Sequence, residues 1–380
     1  MLRVRPSLLY YRRDSYVVRG HGAGGPLEEP APAARPDGLE IIDCASGFVT
    51  FGTARVVESA LRRIDPDMIA RYPEATHEKL LKPALLARYQ PANVGPRQLF
   101  LGHGSFNLIE RVIHKLLQAD EMLGIGPQFN EVPSEFQEAG GAYRAIPLDE
   151  AGYRLPVARL EAALAGHPVS ILYLDNPNNP LGLHFDPADV ERLALSCARH
   201  GTILLVDEAW GDYVADSDSA IHLVGRHPNV AVVRSFSKGL GLAGERVGYM
   251  FLSEPLAKYY REIDIPFEPG IVGATLARAV LDDRELLGEI RRETAWAKGE
   301  IAGAFRSAGL NVLPSHPSVA ILSVEAPSRD IVRELLERGI RVLPGSSFAR
   351  THPRWDDGFC RVRIVERDLV APLCRRIEGL

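Results

Sequence analysis

Apolar positions set the organisation of this chain. From about residue 99 onward, apolar runs of strand length alternate with segments of helical period. Phe106, Ile109, Val112, Ile113, Leu116 and Leu117 recur at helical spacing and predict a helix starting near Asn107. Residues 170–174 (SILYL), 202–206 (TILLV), 229–233 (NVAVV) and 247–252 (VGYMFL) are strand candidates, and residues 188–200 between them form an amphipathic helix candidate. Strands apolar at every position need cover on both faces, so the pattern predicts an α/β fold with a mainly parallel central sheet flanked by helices. A charged helical stretch follows, roughly residues 282–307. Strand-like runs at 318–324, 339–343 and 361–365 and a terminal helix predict a smaller α+β domain. The expected division is an arm or linker at 1–40, a large domain at 41–280 whose first part packs with the small one, and a small domain at 281–380 with the long helix as connector.

Composition narrows the classes. With 380 residues, 46% hydrophobic and 24% charged, the chain is an ordinary globular protein. A net charge of -5 argues against a nucleic-acid partner. Cys44, Cys197, Cys360 and Cys374 form no C-x-x-C pair and fit no zinc spacing, so no metal is expected. Residues 20–38 are rich in Gly, Pro and Ala. The basic N-terminal stretch holds a four-residue apolar run, too short for a signal peptide, and no run reaches membrane-spanning length. A cytoplasmic protein without membrane partners is expected.

Polar residues at strand ends carry the chemistry. In open α/β sheets, ligands bind outside the carboxyl ends of the strands. SILYL is followed by Asp175-Asn176-Pro177-Asn178-Asn179-Pro180-Leu181-Gly182, TILLV by Asp207-Glu208-Ala209-Trp210, and NVAVV by Arg234-Ser235-Phe236-Ser237-Lys238. These ends recur about one strand–helix unit apart, so one rim of one sheet can hold Asn179, Asp207 and Lys238 together. Singly, each has a plainer reading. Asp207 and Asn179 suit turns, Ser105 suits an N-cap, Phe129 suits a core, Arg361 suits a surface and Tyr72 suits a loop anchor.

At these residues the chain resembles the fold-type I pyridoxal-5′-phosphate (PLP) enzymes, within the class I/II aminotransferases. The segment 235–249 (SFSKGLGLAGERVGY) is similar to that family's Schiff-base lysine motif, and Asn-Asn-Pro before a Gly, Asp-Glu-Ala and Arg-Tyr-Pro-Glu at 71–74 resemble the histidinol-phosphate aminotransferase branch. The resemblance implies a PLP-dependent transferase-like fold. It also implies an aminotransferase moving an amino group between an L-amino acid, or a related amine, and a 2-oxo acid, with the cofactor held at Lys238 as an internal aldimine. Lys238 would shuttle the proton, and Asp207 would pair with the pyridine nitrogen. Asn179 would donate to the phenolic oxygen and face the substrate. Ser235, Ser237, Arg246 and the Gly104-Ser105-Phe106 turn would hold the phosphate. Phe129 would stack on the pyridine face, Trp210 would lie beside the cofactor, and Arg361 would grip the substrate α-carboxylate. Tyr72 would reach the phosphate of a neighbouring subunit, which implies a homodimer with shared sites.

Rival readings bound this one. Residues 239–244 (GLGLAG) match G-x-G-x-x-G, but the dinucleotide fingerprint opens a helix and here a strand candidate follows. Residues 235–238 match S-x-x-K, yet S-D-N and K-T-G are absent. A decarboxylase or an elimination/replacement enzyme on the same fold is the alternative, and a non-catalytic PLP-binding domain is a third. Trp210 stands where most relatives carry a tyrosine, and Leu181 where a threonine is common. Asp43-Cys44-Ala45-Ser46-Gly47-Phe48 replaces the Asn-rich segment that contacts substrate in the nearest branch, so the resemblance leaves the substrate open.

Overall fold

The computed structural model describes residues 40–47, 53–72, 80–118, 120–149, 151–167 and 169–380. The arm expected at 1–40 lies outside the described residues except at its last position. Phe48, Pro73 and Glu74 lie outside them too. The strands are β1 Ile42–Asp43, β2 Leu99–Gly102, β3 Glu121–Gly126, β4 Ala142–Pro147, β5 Ile171–Asp175, β6 Ile203–Asp207, β7 Val230–Ser235, β8 Gly248–Leu252, β9 Asn311–Val312, β10 Ile321–Glu325, β11 Ile340–Arg341, β12 Leu343–Pro344 and β13 Phe359–Arg363.

The large sheet has seven strands in the order β2-β8-β7-β6-β5-β3-β4. β8 pairs antiparallel with both its neighbours, and the remaining pairings are parallel. Side chains alternate between two apolar layers. Leu172, Leu174, Leu204, Val206, Val230 and Val232 face one, while Ile171, Tyr173, Leu205, Ala231 and Val233 face the other. This double burial accounts for the unbroken apolar runs in the sequence. The helix Pro187–Arg199 starts where the Asp186 side chain accepts from Ala188 N at 2.8 Å, with proline in its first turn.

The C-terminal part carries an antiparallel sheet in the order β12-β13-β10-β9. The helices Leu286–Ser307 and Arg367–Glu378 pack on each other beside it. β1 pairs in parallel with β11, and Arg363 N donates to Cys44 O at 2.7 Å, so residues 40–47 pack with the C-terminal sheets. Two details differ from the pattern-based expectation. The long helix begins at Leu286, after a break from the helix Ile271–Asp282, because the Asp283 carboxylate accepts from Glu285 N and Leu286 N, both at 3.1 Å. The run at 339–343 is two short strands in separate sheets.

Candidate active site

The carboxyl ends of the parallel strands meet at one rim. Asp175 and Asp207 are register partners on β5 and β6, and Asp207 lies opposite Val233 of β7. β8 returns from this rim, so Gly248 pairs with Gly102 at the end of β2. Gly104 follows in a positive-φ conformation (84°) and opens the helix Ser105–Arg111, which continues as a π-helix, Val112–Leu116. The backbones nearly touch there: a Cβ on Gly248 would lie 2.4 Å from Gly104 C and 2.5 Å from Ser105 N. Arg246, itself left-handed at φ 53°, packs its guanidinium so that a Cβ on Gly104 would lie 2.7 Å from Nη2. Arg246 Nη1 donates to Ser237 Oγ at 3.3 Å, and Ser237 N to Ser235 Oγ at 3.0 Å. Arg246, Ser235, Ser237, Gly104 and Ser105 thus form one basic, hydroxyl-rich corner, and Phe106 turns into the adjoining apolar layer.

Lys238 lies beside this corner, in the turn after β7. Its Nζ is 5.3 Å from the centre of the Trp210 ring, and a Cβ on Gly47 would come within 3.0 Å of it. Burial pushes its amine from 10.5 down to about 8; Arg361 and Arg246 add repulsion, and Asp207 offsets part of it. Asp207 is buried, and burial raises its carboxyl to about 6 against the bonds from Ala209 N at 2.9 Å and the Tyr173 hydroxyl at 3.4 Å. Asn179 N donates to Asp175 Oδ2 at 2.9 Å, and its Oδ1 accepts from Arg361 Nη1 at 3.1 Å. Arg361, buried on β13, also donates to Ala45 O. Phe129 N donates to Asp175 Oδ2 at 3.0 Å.

Tyr72 stands apart. It is 79% exposed, with its ring 5.4 Å from Phe267. Trp210 is buried, and its ring lies 5.7 Å from Tyr213, whose hydroxyl has no hydrogen-bond partner among the described residues.

Three features escaped the sequence reading. Asp175 is an anchor: it accepts from Phe129 N, Asn179 N and Asn178 Nδ2, and burial raises its carboxyl to about 8. Its place at the end of β5 was a visible signal. Arg234, wholly buried on β7, bonds Asp212 at 3.1 Å and Glu208 at 3.3 Å, while Arg88 binds Asp212 at 2.9 Å. This network fixes the turn that carries Trp210. Gly47 leaves room for the Lys238 amine, which no local pattern announces.

The family model for aminotransferase class I and II matches residues 40–377. The chain belongs to the class I and II aminotransferases. This aminotransferase is 31% identical over 330 residues to histidinol-phosphate aminotransferase 2 of Carboxydothermus hydrogenoformans, covering 86% of this chain and 88% of that one. Solved structures that share its fold include two that differ in the activity they are named for. Histidinol-phosphate aminotransferase from Sinorhizobium meliloti, in complex with pyridoxal-5′-phosphate, superposes with a TM-score of 0.78 at 22% identity, covering 100% of this chain and 98% of that one. Aspartate aminotransferase from Thermus thermophilus, with maleate, gives 0.78 at 17% identity, covering 100% of each. The protein is a PLP-dependent aminotransferase. No helix among the described residues is long and apolar enough to cross a membrane.

Proposed function

We propose that the enzyme moves an amino group between an L-amino acid, or a related amine, and a 2-oxo acid, with Lys238 as the residue that carries the cofactor. The observation behind this is the convergence of Lys238, Asp207, Asn179 and Arg361 on one rim. The residues fit PLP. The glycine contact of Gly104 with Gly248 leaves a side-chain-free cradle beside Arg246. Asp207 is a buried carboxylate with no ion-pair partner among the described residues, suited to a protonated ring nitrogen.

When bound, PLP supplies an electron sink that acidifies the substrate Cα–H. Lys238 Nζ, kept partly neutral by its surroundings, would be the group that takes up that proton and gives it back. Asp207 would keep the ring nitrogen protonated, and Asn179 Nδ2 would donate to the phenolic oxygen. Ser235, Ser237, Arg246 and the backbone at Gly104, Ser105 and Phe106 would hold the phosphate. Phe129 would cover one ring face. Trp210 offers apolar cover and no hydroxyl. Arg361 takes the substrate carboxylate in a paired geometry lysine does not offer.

We further assign a large domain around the seven-stranded sheet, a small one around the C-terminal sheets, a homodimer and a cytoplasmic location. Exposed Met68, Ile69, Tyr72 and Phe267 support the dimer, with Tyr72 reaching the partner's phosphate site. A second reading concerns the substrate. The relatives named for histidinol phosphate favour a phosphate in place of the carboxylate at Arg361. The test is spectroscopic. Purified protein with PLP is expected to show a visible band that borohydride bleaches and Lys238→Ala lacks. Single-turnover reactions with amino acids and histidinol phosphate then identify the donor. A Lys238→Ala protein that keeps the borohydride-sensitive band would overturn the assignment of Lys238.

A further inference from the structure

A lysine lies where helical periodicity calls for an apolar residue. On the helix Leu286–Ser307 the buried stripe runs through Ile290, Thr294, Ala297, Ile301 and Phe305, and Lys298 falls within it at 6% exposure. Its Nζ donates to His316 O at 2.7 Å, Val319 O at 2.8 Å, Ile321 O at 2.7 Å and the Ser315 hydroxyl. Among the described residues no carboxylate joins these acceptors. A buried charge persists only when its protons are matched by acceptors, and here four oxygens surround three N–H bonds.

The same 315–321 loop grips the rim. His316 N donates to Gly182 O at 2.9 Å, and the Ser315 hydroxyl lies 3.4 Å from it. Gly182 adopts φ 71°, and a Cβ there would lie 2.7 Å from both Ile321 O and Ser315 Oγ. On the adjoining strand Ser323 Oγ donates to Pro180 O at 3.0 Å, and Ser323 is the register partner of Arg361, which bonds Asn179. Seven residues before Lys298, on the same helical face, Arg291 Nε donates to Asp212 O at 2.7 Å, in the turn that carries Trp210. One helix thereby braces two of the loops beside Lys238.

We propose that Lys298 is a positioning residue whose ammonium, caged by oxygens of the 315–321 loop, seats that loop against Gly182 and the strand that follows it against Pro180, and so fixes Asn179 at the cofactor rim. The proposal rests on the reading of Asn179 as the donor to the cofactor's phenolic oxygen. Burial pushes the Lys298 ammonium down to about 7, so its charge depends on the cage. His316 and His184, rings 6.1 Å apart, face this region together with Asp218 and Arg291. A neutral amine keeps two N–H bonds for the four oxygens and turns its lone pair toward carbonyls, which loosens the loop.

The test titrates the visible band of the lysine-bound cofactor in the intact holoenzyme. A donor to the phenolic oxygen favours the deprotonated chromophore, so Asn179→Ala is expected to raise the midpoint. Lys298→Met is expected to raise it in the same direction by about 0.5 unit or more, with no further rise in the double variant. Ser315→Ala, which removes one cage oxygen and threatens folding less, is expected to give a smaller rise. A purely structural role lowers the melting temperature and leaves the midpoint in place. A shift with Asn179→Ala but none with Ser315→Ala or Lys298→Met would refute the cage's role alone. No shift with Asn179→Ala would refute the reading of Asn179, and the proposal with it.

Discussion

Replacing Lys238 by Met in the cofactor-free protein should stabilise the fold at neutral pH. The Lys238 amine sits at about 8 when folded and near 10.5 when exposed. A folded-state pKa below the unfolded one means that the folded chain pays to hold the proton. The penalty is full below about pH 8 and gone above about 10.5, so stability from this group rises with pH. One pKa unit is worth about 1.4 kcal/mol, which puts the penalty at about 3 kcal/mol at pH 7 and about 1 kcal/mol at pH 9.5. The attraction of Asp207 is already contained in the value of about 8, so the expected gain at pH 7 stays at about 3 kcal/mol. Urea unfolding of both apoproteins at the two pH values measures it. Methionine adds apolar burial at any pH, so the narrowing of the gap is the diagnostic quantity. Equal stabilities at pH 7, or a gap that does not shrink by pH 9.5, would refute the reasoning.

Asp207→Asn should leave the melting temperature within a few degrees and slow the first half-reaction at least about a thousandfold, about 4 kcal/mol, in stopped-flow absorbance. Gly248→Ala forces a methyl against Gly104 C and Ser105 N; a loss of about 1–3 kcal/mol in urea unfolding is expected, with weaker PLP binding by equilibrium titration. Arg234→Met leaves buried Glu208 without an ion-pair partner among the described residues and takes one of two arginines from Asp212, and chemical denaturation should show a loss of about 3–5 kcal/mol.

The strand ends were legible because burial on both faces forces apolar runs, and polar residues where those runs stop, Asp175, Asp207 and Ser235, fall at the rim. The order of these segments pointed to the family. Other features depend on contacts between distant residues. Gly47 meets Lys238 only because β1 pairs with β11, nearly the whole chain away. Arg234 occupies a β7 position that pattern assigns to apolar cover, and its reason lies in Asp212 and Glu208. Lys298 breaks its stripe for carbonyl groups, which carry no sequence signature. The break before Leu286 turns on one aspartate accepting two N–H groups, which a count of charged helical residues passes over.

The reversed strand β8 also has a consequence for how the chain assembles. β2, Leu99–Gly102, has β8, Gly248–Leu252, as its one sheet neighbour among the described residues. While the chain emerges from the ribosome, β2 waits through some 150 residues before that partner exists, its backbone unpaired. The parallel strands β3 to β7 can pair during that wait, and β8 then slots between β7 and β2. Gly104 and Arg246 meet in that last insertion, so the proposed phosphate corner is among the latest parts of the large sheet to form. With the phosphate held as proposed, the nascent enzyme would recognise its cofactor only after the sheet has been completed.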